Sequence, residues 1–222
     1  MRQMRERWEM EVLPLSVSFR CPEAIVRNAQ WRAPEMKWVK AGGMVGRLKN
    51  PSSDSFPDGC AIICRNNAPL FSAAIKFLRG GRSVTVAGSD VGPKVVGLLK
   101  KLGSEEMNRE QTLGAIEDWR AERLAKGNET ADDLADCMRV FANVGDNLAQ
   151  AVAYASDLLR QEGTINLLTG HKAKGLEWPM VYHLDPHLIR QGDQEDNLRY
   201  VIQTRALETY FEIASEEIKW SL

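Results

Sequence analysis

Between Gly59 and Arg65 the chain reads Cys-Ala-Ile-Ile-Cys, five apolar residues with no polar alternation. A half-buried strand is apolar only at every second position, so an unbroken run of this length fits a strand covered on both faces, as in a parallel sheet. Parallel neighbours need crossover connections, and the flanking sequence offers them. Ala68–Leu78 has helical spacing and is stopped by Gly80-Gly81. Val84–Ala87 is the next strand, and the Gly88–Pro93 turn leads into a helix expected over Lys94–Leu102 and ended by Gly103. Strand, helix, strand, helix is the rhythm of a layered α/β fold.

The remaining segments extend that frame. Leu13–Val17 is a short strand candidate, and Glu23–Gln30 has the spacing of a helix. Residues 31–58 are rich in glycine and proline, with one edge strand expected at Met44–Leu48. Residues 104–161 have no strand signal and three helical patterns, roughly 105–126, 129–143 and 146–161, a helical insertion between strands. The sheet resumes at Thr164–Leu168 and Pro179–Leu184. A helix is expected at Asn197–Leu207 and a last strand at Thr209–Ala214. The expected organisation is a sheet-forming segment at 1–103, the insertion at 104–163 and a second sheet-forming segment at 164–222. The charged start, Met1 to Val12, reads as a helix entered without a cap, as expected of a piece of something longer.

Charge and cysteine usage narrow the function classes. Among 222 residues, 29 basic and 30 acidic side chains leave a net charge of −1, so nucleic acid would have to be held by a local patch. Cys60 and Cys64 would lie on one face of a strand with Ile62 between them, and no second pair completes a zinc site. Cys21, Cys60, Cys64 and Cys137 therefore read as buried free thiols, which suits a reducing cytoplasm. No metal site is expected. His183, Asp185 and His187 stand in a His-Leu-Asp-Pro-His run, but Pro186 breaks it and no carboxylate pair accompanies it; they read as a loop after a strand. No apolar run reaches the roughly 18 residues of a membrane span.

No phosphate-cradling Gly-x-x-x-x-Gly-Lys-[Ser/Thr] loop occurs, and Gly88 to Lys94 has the wrong spacing with Pro93 inside it. Three polar clusters do fall where strands end, the places where ligands gather in open α/β sheets. They are Ser18–Pro22, Thr169–Glu177 and Asn197–Arg205. Singly each has an ordinary explanation: Arg20 as a surface charge, Arg205 as a cation at a helix C-terminus, His171 as a surface imidazole.

Taken in order they form a pattern. Leu13 to Gln30, with Ser18-Phe19-Arg20-Cys21 at its centre, resembles motif IV of UvrD/Rep-type superfamily 1 helicases. Thr169-Gly170-His171-Lys172-Ala173-Lys174-Gly175-Leu176-Glu177-Trp178 closely resembles their motif V. Glu195-Asp196-Asn197-Leu198-Arg199-Tyr200-Val201-Ile202-Gln203-Thr204-Arg205-Ala206 is similar to motif VI. The stretch from Cys60 to Gly88 also fits the family between motifs IV and V.

The resemblance implies a RecA-like three-layer fold with a mostly parallel sheet, the helical insertion standing before motif V. It implies the second motor domain of an ATP-dependent DNA helicase, a part without its own P-loop and inactive alone. An N-terminal RecA-like ATPase domain would hold the phosphates of ATP and the Mg2+. Arg20 and Arg205 would reach the γ-phosphate from across the cleft, where guanidinium groups stabilise spreading phosphoryl charge. Glu177 would accept a hydrogen bond from the ribose, and Gly175 would let the backbone pass near the nucleotide. Thr169 and His171 would face single-stranded DNA, with Lys172 and Lys174 adding positive charge. Lys174 has a second reading as a tether between motifs, and Tyr200 faces either the core or the nucleotide. The sequence departs from the family at Ser18, Phe19 and Cys21, where asparagine, tyrosine and serine are usual, and at Ile202, where alanine is usual. The large accessory domain common before motif V is reduced here to about 60 residues. The alternative is a stand-alone nucleic-acid-binding or regulatory module without ATPase activity.

Overall fold

The computed structural model describes residues 7–8, 16–87 and 91–220. Most of the expected start helix, most of the Leu13–Val17 strand and the first half of the Gly88–Pro93 turn lie outside these residues. Strand β1 (Val17–Ser18) pairs in parallel with β2 (Lys37–Trp38), flanking helix α1 (Glu23–Ala29). Then come β3 (Met44–Arg47), β4 (Ala61–Cys64), α2 (Asn67–Arg79), β5 (Val84–Val86) and α3 (Val91–Leu99). Helices α4 (Arg109–Ala125), α5 (Ala131–Val144) and α6 (Leu148–Leu158) follow. The chain then returns through β6 (Ile165–Thr169), β7 (Trp178–Leu184), α7 (Asp193–Gln203) and β8 (Ala206–Ile213).

Six strands form one sheet in the order β3-β8-β7-β4-β6-β5, every pairing parallel. The apolar run lies near the centre, between β7 and β6, and all four residues of β4 are buried. Its side chains alternate as a strand requires. Cys60, Ile62 and Cys64 face a core built with α2, α5 and α6, while Ala61 and Ile63 face one built with α1 and α7. Helices on both faces give the three layers expected of a RecA-like domain. The inserted helices are fused to the first of these cores: Met138 and Phe141 of α5 and Ala151 and Leu158 of α6 share it with Phe71 of α2 and Leu99 of α3. All four cysteines are free and buried, and burial pushes the Cys60 and Cys64 thiols up to about 12.

Two helices, α7 and α3, are displaced from their expected bounds. The sequence pattern places a helix at 197–207, yet α7 spans Asp193–Gln203. It starts four residues earlier because Gly192 turns the chain and Asp193, Glu195 and Asp196 suit the positive end of a helix dipole. It stops earlier because Trp178 N–H donates to Arg205 O and Ala206 pairs with Trp178, drawing residues from 206 onward into β8. Helix α3 likewise starts at Val91, three residues before the expected Lys94, with Pro93 in its first turn, where the missing N–H has no partner to lose.

His183 is inside β7, not in a loop. Its ring is fully buried and its Nδ1 lies 2.8 Å from Tyr210 Oη, which also bonds Glu212 Oε1 at 3.3 Å. Tyr210 has one hydrogen; with it on Glu212, His183 Nδ1 is the donor to Tyr210. Burial holds His183 down to about 3, so it is neutral. Asp185, also buried, accepts from Ser215 N–H at 2.8 Å. Among the described residues no group of three or more His, Cys, Asp or Glu side chains could hold a metal ion. No described helix is long and apolar enough to cross a membrane.

Candidate functional site

The chain leaves β6 at the carboxyl edge of the sheet and must enter β7 at the amino edge, with β4 between them. Residues 170–177 make that crossing without a helix. The register gives its span. Thr169 is level with Cys64 and Val181 is level with Ala61, so Trp178 lies about six strand residues, or about 20 Å, below Thr169. The crossover begins with a tight turn, in which Lys172 and Ala173 N–H groups both donate to Thr169 O. Ala173 is buried against the sheet while His171, Lys172, Lys174, Gly175, Leu176 and Glu177 are exposed. Gly175 has φ +85°, a left-handed conformation costly for any residue with a Cβ.

Helix α7 runs beside the crossover in the same direction. Gly170 sits against it so closely that a Cβ there would be 2.8 Å from Ile202 Cδ1 and 2.9 Å from Leu198 Cδ1. Two polar groups mark the two ends of this paired track.

At the amino edge, Arg20, Glu177 and Arg205 come together. Arg20 Nε is 2.6 Å from Glu177 Oε2. Arg205 donates from Nε to Val201 O at 3.0 Å, from Nη1 to Leu176 O at 3.1 Å and from Nη2 to Thr204 Oγ1 at 3.3 Å. Three of its five N–H groups are thus engaged. Partial burial holds the Arg205 pKa below its ordinary value and Arg20 adds repulsion, with Cys21, Glu177 and Tyr200 opposing. The same three charges act on Cys21, whose thiol is raised by burial. The two arginines therefore occupy one electrostatic neighbourhood. Tyr200 is half-buried in it, its hydroxyl 3.4 Å from Met36 Sδ. Phe19, 72% exposed, follows β1 directly before Arg20. The amino edge thus offers guanidinium groups on an open surface flanked by an exposed aromatic ring.

At the carboxyl edge, Arg65 follows β4 and grips Glu195 of α7 with Nε at 2.9–3.0 Å and Nη2 at 2.8 Å. This fork-to-carboxylate bond holds Glu195 well below the usual carboxylate range. His171 stands beside it: desolvation lowers its pKa, Arg65 and Lys174 add to the effect, and Glu195 opposes. Thr169, His171, Lys172 and Lys174 thus form a locally basic surface at this edge. Arg65 belongs to that surface and carries no sequence signal beyond its place after an apolar strand. Its partner Glu195 stands two residues before the third cluster.

The structure separates what the sequence pattern treats as one kind of place. Arg20, Glu177 and Arg205 gather at the amino ends of β7 and β8, whereas Thr169 and His171 lie at the carboxyl end of β6. A concavity lies elsewhere, a groove of about 560 Å³ between α2, α5 and the segment ending at Trp220. Of the charges that line it, Arg139 is engaged with Glu117 and Asp136, and Lys76 lies over the Trp220 ring. No set of polar groups converges there as at the arginine edge.

Fold and site together define a three-layer α/β domain with an exposed arginine–carboxylate cluster at one sheet edge and a basic crossover turn at the other. No family model and no curated protein matches the chain. Among solved structures it is similar to the C-terminal domain of a possible DNA helicase from Lactobacillus plantarum WCFS1. The identity is 14% and the TM-score 0.42, over 89% of this chain and 87% of that one.

Proposed function

We propose that this chain is the second motor domain of an ATP-dependent DNA translocase of the UvrD/Rep type. It would complete a nucleotide cleft with Arg20 and Arg205 and grip single-stranded DNA through Thr169, His171, Lys172 and Lys174. The observation that carries this reading is the joining of Arg20, Glu177 and Arg205 into one exposed cluster, although 185 residues of chain separate the two arginines. Guanidinium groups fit phosphoryl oxygens, and Arg205 keeps two N–H groups beyond its anchoring bonds. The carboxylate here is already paired with a cation, so Mg2+ would be held by a partner domain carrying the P-loop. Bound ATP would supply the transferable phosphoryl group; this chain's arginines would orient and stabilise its charge. Glu177 stands where a ribose hydroxyl could be met, and Gly175 leaves open space beside the backbone. The crossover and α7 join the two edges, so a shift at the arginine cluster has a packed route to the basic turn.

The alternative, a binding module without ATPase chemistry, draws on a specific observation: Arg20 is paired and Arg205 is anchored within the chain itself. One experiment separates the two. The 222-residue chain alone turns over no ATP. In protein carrying the P-loop half, Arg205→Ala lowers DNA-stimulated turnover by about 10³-fold or more while affinity for single-stranded DNA persists. Unchanged turnover removes the arginine role and leaves the binding module.

A further inference from the structure

Arg20 and Glu177 satisfy each other. Their contact of 2.6 Å places a carboxylate oxygen on the guanidinium in the way a phosphate oxygen would sit. Arg205 is close enough for both to act on its charge. The carboxylate thus offsets two like charges that an incoming anion would otherwise offset.

The surroundings make this contact exchangeable. Side-chain exposures of 41% and 46% leave it in water, where such pairs contribute little and re-form readily. The backbone on both sides of Glu177 is pinned to one residue: Leu176 O accepts from Arg205 Nη1 and Trp178 N–H donates to Arg205 O. Releasing Arg20 therefore needs only a rotation of the Glu177 side chain.

We propose that Glu177 is a built-in competitor for polyphosphate. It holds Arg20 in the resting domain and gives it up to a multiply charged phosphate chain. The inference rests on the reading of the amino edge as phosphate-facing. A single carboxylate competes well against a weakly charged anion and poorly against a triphosphate, whose charge engages Arg20 and Arg205 together. The competitor thereby biases the edge toward polyphosphates over simple anions. This role differs from hydrogen bonding to a ribose, because it acts on a ligand that has no sugar.

The test uses the 222-residue chain with inorganic triphosphate at low salt, followed by NMR of the arginine Nε–H groups. Glu177→Gln binds triphosphate about two- to fivefold more tightly than the parent chain. Its Arg20 Nε–H signal without ligand moves toward that of a solvent-exposed arginine, and triphosphate moves it back. Glu208→Gln, an equal charge change at an exposed residue, gives no such gain, and Arg20→Ala with Glu177→Gln loses it. Equal or weaker binding by folded Glu177→Gln, or an equal gain from Glu208→Gln, overturns the competitor role while the anion site stands. No saturable binding by either chain overturns the phosphate-facing reading and the inference with it.

Discussion

Replacing Gly170 by alanine tests how the crossover is seated on α7. The φ of Gly170 is not left-handed, so alanine fits the backbone. It would stiffen the unfolded chain and gain about 0.4–1 kcal/mol. Against that, the new methyl would lie 2.8–2.9 Å from side-chain carbons of Ile202 and Leu198. Both neighbours are buried, Ile202 fully, and neither has solvent to move into. Overpacking of this kind costs about 1–3 kcal/mol, leaving a net loss of between roughly 0 and 2.6 kcal/mol once the unfolded-chain gain is taken off. Ile202→Ala alone costs about 2–5 kcal/mol, because it opens a cavity where the side chain packed. The methyl introduced by Gly170→Ala would enter that cavity. The double variant should therefore lose less than the sum of the singles by at least about 1 kcal/mol, the signature of residues sharing one packing site. Urea unfolding followed by tryptophan fluorescence measures all four proteins. Additivity within about 0.5 kcal/mol would refute the shared seat.

Burial holds His183 down to about 3 against an ordinary 6.5, so the unfolded chain binds a proton there that the folded chain refuses. Stability is therefore intact above pH 6.5 and falls by up to about 1.4 kcal/mol per pH unit between 6.5 and about 3. His183→Phe combined with Tyr210→Phe should flatten that slope by one proton, read from urea midpoints across the range; an unchanged slope would place the acid sensitivity elsewhere. The four thiols are buried and at least Cys60 and Cys64 are pushed up to about 12, so a disulfide-exchange reagent at pH 8 should label none in the folded chain and all four in denaturant. Rapid labelling of folded chain would show that these cores open.

Much of the architecture was legible in the residues, and the reason is local. The Cys60–Cys64 run has one stable environment, between two layers, and it became a central strand with its side chains split between the two cores. An edge strand is expected at Met44–Leu48, and Met44–Arg47 forms the edge of the sheet. The end of α7 was not legible, because Arg205 and Ala206 are helix-compatible in isolation. The pairing with Trp178, 28 residues earlier, draws them out of the helix. His183 falls within the strand expected at Pro179–Leu184, but its burial was not legible, because Tyr210 on the neighbouring strand supplies the partner that permits it.

What the sequence determined by itself is a set of chemical types at fixed spacings: apolar runs that demand cover, glycines that permit Gly170 and Gly175 their positions, and arginines and a carboxylate in three polar clusters. Which of them meet was decided only by the parallel sheet. A parallel strand must be re-entered at its far edge, so the crossover carries Glu177 away from His171 and delivers it to Arg20 and Arg205. Side-chain chemistry is local to a residue, but proximity between residues 20, 177 and 205 depends on strand order and register, which no short stretch of the chain encodes.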